Sequence, residues 1–168
     1  HLQMVAEREG YRAEPEALAI IAQKADGGMR DALSIFDQVA GYTQGDITYA
    51  KVIENLNVLD YDYYFRMVDM LLDKKIADSM VLLDEVLSKG FDAGHFVSGM
   101  ATHLRNVRMS REPQTLRLLQ CSEGVKERYR QQAAKCSERF IYRALKLCNN
   151  CDINYRASRN KRLLVEVT

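Results

Sequence analysis

The chain has 168 residues, 47% hydrophobic and 28% charged, with a formal net charge of +1. That length allows one ordinary domain or two small ones with a real core, and the composition is that of a globular protein. No apolar run reaches bilayer-spanning length and no signal peptide opens the chain, so neither a membrane span nor secretion is expected.

The charge is unevenly spread. Residues 1–100 hold 9 Lys/Arg against 17 Asp/Glu, and residues 101–168 hold 15 against 6. The balances of −8 and +9 suit charge-complementary packing, a basic face for an acidic partner, or plain solvated helix faces. The chain opens on His1 and "RLLVEVT" stops abruptly, so a piece of a longer polypeptide is expected.

Taken in order, the elements read as helices. "HLQMVAEREG" places Leu2, Val5 and Ala6 on one face and ends at Gly10, which suits a C-terminal cap. In "EPEALAIIAQKA", Pro15 falls in the first turn and Leu18, Ile21, Ala22 and Ala25 form the apolar stripe. Gly27 and Gly28 stop it. The next helix is predicted from about Met29 to Ala40, with Met29, Leu33, Phe36 and Ala40 on one face and Arg30, Ser34 and Asp37 on the other. "GYTQGD", Gly41 to Asp46, is the best candidate for a domain boundary.

Longer patterns follow. Tyr64, Val68, Leu71 and Leu72 repeat at helical spacing, as do Ile76, Met80, Leu83 and Leu87, then Phe96, Met100, Leu104 and Val107. Pro113 marks a break. Three further helices are read in "SEGVKERYRQQAAK", "SERFIYRALKLCNNCDI" and "NKRLLVEVT", with Ser122 and Ser137 placed as N-caps. The pair spanning Tyr61–Gly90 resembles one unit of a helical repeat but does not recur. No β alternation stands out. The fold class is all-α.

Four cysteines invite a metal reading. Cys148 and Cys151 form a C-x₂-C, but no second close pair or His pair completes a zinc site, and Cys121 and Cys136 stand alone. Cys148 and Cys151 extend the stripe through Ile141 and Ala144, so they read as small buried hydrophobes in a reducing, cytosolic compartment. No metal site is expected.

The stretch "ADGGMRDALSIFDQV" carries the chemistry. A helix start is already positive, so an arginine in its first turn is mildly unfavourable unless an anion stands nearby. Exposed N–H groups beside small glycines admit a phosphate, and Arg30 adds a planar, bidentate grip. The alternative is an ion pair with Asp26, Asp31 or Asp37, and Asp31 suits a first turn by itself.

Nothing in the chain reads as a phosphate-binding loop, an H-E-x-x-H or a G-x-S-x-G, and no catalytic residue is assigned. His95 and His103 read as packing or interface residues. Tyr61, Tyr63 and Tyr64 read as core and boundary aromatics with wet hydroxyls. Aromatics interleaved with bases for single-strand binding are not evident. The chain is not expected to be an enzyme on its own.

"EALAIIAQKADGGMRDALSIFDQV" resembles the lid of bacterial clamp-loader AAA+ ATPases, the gamma and tau subunits of DNA polymerase III, where an A-x-G-S-x-R-D-A-L-S-x-x-D-Q run carries the sensor 2 arginine. "ITYAKVIENLNVLDYDYYF" resembles the entry to the collar of those subunits, and "SEGVKERYRQQA" and "SRNKRLLVEV" resemble its end. The resemblance implies a lid portion over residues 1–43 and a collar over 44–168. It implies that Arg30 reaches the γ-phosphate of ATP, that Met29 lies near the base or ribose, and that Gly28 and Asp31 support the helix start.

Gly28 stands where the family often has Ser, an exchange of N-caps worth a few tenths of a kcal/mol. ATP and its Mg²⁺ are implied for an upstream ATPase domain, with no cofactor in the fragment. Implied partners are other gamma/tau copies, delta and delta prime through the collar, accessory subunits, the sliding clamp and primed DNA, in the cytoplasm. The rival readings are a helical DNA-binding module using the basic C-terminal region, or a plain scaffold, in another AAA+ replication or recombination protein.

Overall fold

The computed structural model describes residues 1–25, 28–119 and 121–168. Among them are eleven helices and a single two-residue β ladder, so the chain is all-α. It divides into two compact units. The first is His1–Asp60 with a short segment ending at Glu123, and the second is Tyr61–Leu119 with Gly124–Thr168.

In the first unit, α1 (Leu2–Arg8) ends near Gly10, whose φ of +71° is the left-handed conformation a helix terminus uses. β1 (Arg12–Ala13), α2 (Pro15–Lys24), α3 (Met29–Thr43), β2 (Asp46–Ile47) and α4 (Tyr49–Asn55) follow. Pro15 takes the first helical position, where no intrahelical N–H bond is lost. The two strands run parallel, Arg12 opposite Asp46 and Ala13 opposite Ile47. Gly45 makes the sharp entry to β2. Its φ is +80°, and a Cβ there would lie 2.7 Å from the Tyr11 ring.

Polar groups fix this ladder. The Asp46 carboxylate accepts from Arg12 Nε at 2.9 Å and pairs with Lys51 Nζ at 2.7 Å. The Lys51 bond, then that of Arg12, holds Asp46 below the usual carboxylate range. The cluster is exposed, so it sets register more than it stabilises. The first N–H groups of α4 are met by Glu14 Oε2, which accepts from Tyr49 at 2.7 Å, and by Thr48 Oγ1, which accepts from Lys51. Beneath lies a core whose centre is Ile21, Phe36, Val39, Ile47 and Val52, each 0% exposed.

The second unit holds α5 (Asp62–Leu72), α6 (Ile76–Ser88), α7 (Ala93–Met109), α8 (Pro113–Leu116), α9 (Glu123–Lys135), α10 (Glu138–Tyr155) and α11 (Lys161–Glu166). α7 is its axis, packed most extensively on α10 and also on α5, α8 and α11. Asp92 starts α7, accepting from the His95 N–H at 3.0 Å and from the Tyr155 hydroxyl at 3.1 Å. The His95 bond is the chief reason its carboxyl is held below the ordinary range. Gly99 on α7 lies directly under the Tyr64 hydroxyl, and any Cβ there would collide with it. Ser137 caps α10 by accepting from Phe140 N–H at 3.1 Å, as the sequence predicts, and Ser122 immediately precedes α9.

The structure departs from the sequence reading in particular places. α3 continues through Gly41 and Tyr42 to Thr43, which is buried, and stops where Gln44 turns left-handed at φ 54°. Gly41–Thr43 thus close α3, Gln44 and Gly45 form a turn, and Asp46 opens β2. On α2 the buried stripe is Ala17, Leu18, Ile21 and Ala25, while Ala22 faces out. On α6 the buried face is Ser79, Leu82, Leu83 and Val86, leaving Ile76 and Met80 exposed. The reading of Gly27 as a helix stop lies outside the described residues.

All four cysteines are outside disulfides, with Cys136, Cys148 and Cys151 buried and Cys121 half-buried. Burial pushes the Cys136 and Cys148 thiols up to about 11. At pH 8 the thiolate fraction of those two is on the order of one in a thousand. Titration with an aromatic disulfide reagent is expected to show one fast thiol, Cys121, and three released only as the chain unfolds in urea. A second fast thiol would mean that the α9 and α10 packing opens in the native state.

Candidate functional site

Arg30 stands in the first turn of α3, and the local sequence fixes that turn from both sides. α2 ends at Lys24 with Ala25 buried behind it, and Gly28, in extended conformation at φ −77° and ψ 117°, begins α3. The Gly28 N–H donates to Ala25 O at 3.0 Å, and the Ala32 N–H donates to Gly28 O at 2.9 Å. Ala32 and Phe36 then sink into the core. The turn is anchored on both flanks while its polar face stays outside.

On that face Met29 is 50% exposed, and Arg30 and Asp31 are exposed. Met29 does not join the buried face the sequence pattern gave it, because that face is taken by Ala32, Phe36, Val39 and Ala40. Arg30 makes no hydrogen bond or ion pair among the described residues, so the ion-pair alternative with Asp31 or Asp37 is not formed. Asp26 lies outside the described residues. Gly28 offers no side-chain cap to α3. The Asp31 carboxylate lies over it, one oxygen 3.0 Å from where a Cβ would stand. The site is thus an open helix start with one carboxylate folded toward it and a guanidinium left free.

The histidines part company. His95 is exposed near the start of α7, whereas His103 is 2% exposed between α5 and α9. His103 Nε2 lies 2.6 Å from Gln132 Oε1, and the Gln132 amide donates to Phe65 O at 2.8 Å and to Asp69 Oδ1 at 3.1 Å. The rings of Phe65 and Tyr129 close around it at 4.5 and 5.1 Å. Burial drives the His103 pKa down to about 4. This is a packing histidine, neutral at pH 7. Gln132 carries no periodic signal that would have marked it.

Two hollows run along the α7–α10 pair, one of about 280 Å³ and one of about 550 Å³. The sequence reading did not bring their residues together, since the helices are about thirty residues apart in the chain. Among the described residues no group of His, Cys, Asp or Glu is placed to hold a metal, and no helix is long and apolar enough to cross a membrane.

Residues 1–45 match the family model of the DNA polymerase III clamp loader subunit, ATPase lid domain. The whole fold is similar to the DNA clamp loader delta protein of Bacillus subtilis, at a TM-score of 0.58 and 13% identity over 96% of this chain and 51% of that one.

In sequence the chain is similar to gamma and tau subunits of DNA polymerase III. It is 24% identical to DNA polymerase III subunit tau of Bacillus subtilis over 99% of this chain and 30% of that protein. It is 30% identical to subunit tau of Escherichia coli over 54% of this chain and 14% of that protein. The chain therefore spans a third or less of the length of these tau relatives.

Proposed function

We propose that this chain is the lid and collar portion of a clamp-loader subunit of the gamma/tau type, acting in loading of the sliding clamp during DNA replication in the cytoplasm. Residues 1–43 form the end of the lid and 44–168 the collar that joins the subunit to gamma/tau copies, delta and delta prime. The observation that carries the reading is Arg30: a guanidinium free of internal partners, held outward by a turn whose flanks are buried.

The residues present fit the triphosphate of an ATP held, with Mg²⁺, by an ATPase domain outside this chain. Bound there, the nucleotide would supply a terminal phosphate for the helix start to contact. Arg30 donates a charge-assisted, bidentate pair to phosphate oxygens, and the first N–H groups of α3 add their positive end. Met29, exposed beside it, covers the base or ribose. Gly28 keeps the approach open and Asp31 orients the turn. The lid is drawn toward the ATPase domain only while a third phosphate is present, so the nucleotide state biases how the ring of subunits tilts beneath its collar.

The test is Arg30→Ala, with Arg30→Lys beside it, in the full subunit assembled with its partners. A charged hydrogen-bonding pair is worth about 1.5–3 kcal/mol, so ATP-dependent clamp loading is expected to fall roughly tenfold to hundredfold. Lys, a point charge without the fork, restores only part of it. Stability stays within about 0.5 kcal/mol, because an exposed side chain without partners leaves no hole. Unchanged loading by Arg30→Ala would reduce the chain to a scaffold.

A further inference from the structure

We propose that the groove between α7 and α10 binds single-stranded nucleic acid, a role that does not depend on Arg30 or on the sensing function above. Three exposed arginines line the hollows between these helices, Arg105 and Arg108 from α7 and Arg139 from α10, and Arg143 and Lys146 stand exposed elsewhere on α10. None of the five makes a hydrogen bond or ion pair among the described residues. Arg108 and Arg139 line the same hollow, and Arg105 lines the other. Unpaired cations gathered on one surface keep their full attraction for a polyanion.

Among these cations stands Tyr142, 66% exposed, one turn from both Arg139 and Lys146 and lining the hollow with Arg108. A flat aromatic face flanked by cations is the arrangement on which unpaired bases stack while phosphates are neutralised alongside. Further along, Thr102 and Asn149 offer hydrogen-bonding groups in the second hollow. One carboxylate lines each hollow, Glu138 the first and Asp152 the second, against three arginines in all, and Arg111 lies 3.9 Å from Glu138.

An acidic helix from a protein partner fits less well. Such a helix needs a broad apolar seat, and most apolar residues of the floor are already buried, Ile141 at 1%, Val97 at 5% and Cys148 at 9% exposed, with Ala101 and Leu145 half-buried. A duplex is also disfavoured, since its stacked bases offer Tyr142 no face. Sequence reading missed the feature because Arg108 of α7 comes beside Tyr142 and Arg139 only through the packing of α7 on α10.

The experiment is fluorescence anisotropy of a labelled oligothymidylate with the full chain, over a salt series. Binding is expected, with log K falling against log salt at about 0.7 per phosphate neutralised. Tyr142→Ala should weaken it roughly tenfold, the scale of one lost stacked base. Arg105→Gln/Arg108→Gln/Arg139→Gln should lower the slope by about 2. Lys74→Gln/Lys75→Gln, exposed at the α5–α6 turn, should change neither. All these side chains are exposed, and helical circular dichroism verifies each fold. The proposal is overturned by no detectable binding at low salt, by Tyr142→Ala binding as tightly as the parent, or by equal losses in the Lys74/Lys75 control. It is overturned equally if polyglutamate of matched charge displaces the oligonucleotide on equal terms, which would make the groove a docking face for an acidic protein.

Discussion

Acidification from pH 7 to pH 4 is expected to remove about 3 kcal/mol of stability from the second unit through His103 alone. The folded pKa of about 4 lies below the ordinary 6.5, chiefly because burial penalises the imidazolium. The nearby Arg128 charge pushes the same way, and the Gln132 bond and Asp69 oppose both. Between those values the unfolded chain binds the proton that the folded chain refuses. The contribution is therefore fully present above about pH 6.5, falls as pH drops, and levels off below about 4.

Geometry explains why the fold resists so strongly. The Gln132 amide is committed as a donor to Phe65 O and Asp69, which turns its oxygen toward His103 and assigns the ring proton to Nε2. His103 Nδ1 is buried without any partner. The second proton would have to be carried there with no acceptor and little water. Urea unfolding between pH 7.5 and 4.5 measures the loss, and His103→Gln isolates it. That variant keeps a donor for Gln132, loses the titration, and is expected to be weaker at pH 7 but nearly flat down to pH 5. Equal slopes in both proteins would assign the acid sensitivity to carboxylates.

What could be read from sequence was whatever a single helix face encodes. Phe96, Met100, Leu104 and Val107 stand at clean helical spacing, and all four are buried. The "GGMRD" stretch likewise marked a helix start with an outward arginine, because a cation in a first turn is locally out of place. α6 was misread by one position because it carries apolar residues on both sides. Ile76, Met80 and Val81 compete with Leu82, Leu83 and Val86, and only packing against α5 selects the second set. The β ladder pairs Arg12 with Asp46, two residues to a strand, which is too short for any alternation to show. Gly41 looked like a breaker, yet the apolar run before it and buried Thr43 after it carry α3 across. Gln132 and His103 meet across 29 positions with no period connecting them.

Phe36→Ala is expected to cost about 4 kcal/mol and to unfold much of the first unit. Phe36 is 0% exposed and its ring lies 6.2 Å from that of Tyr11. It stands on α3 where α2, α3 and β2 converge, among Ile21, Val39 and Ile47. A unit of this size holds little reserve, since small folds bury proportionately less surface and total stabilities run to about 5–15 kcal/mol. The neighbours cannot close over the hole. Tyr11 is fixed by Gly45 beneath it, and Ile47 is held by the strand ladder. Phe36→Leu, which keeps most of the volume, should cost about 1.5 kcal/mol or less. Urea unfolding followed by tyrosine fluorescence reads both, and a loss under about 1 kcal/mol for Phe36→Ala would mean the core collapses freely. The contrast with Arg30 is the physical point. Phe36 sits less than two turns along the same helix, so its removal takes away the anchor that holds the arginine outward, whereas Arg30→Ala leaves the anchor and removes only the charge. Nucleotide response should therefore be lost in both variants, with the fold lost in one alone.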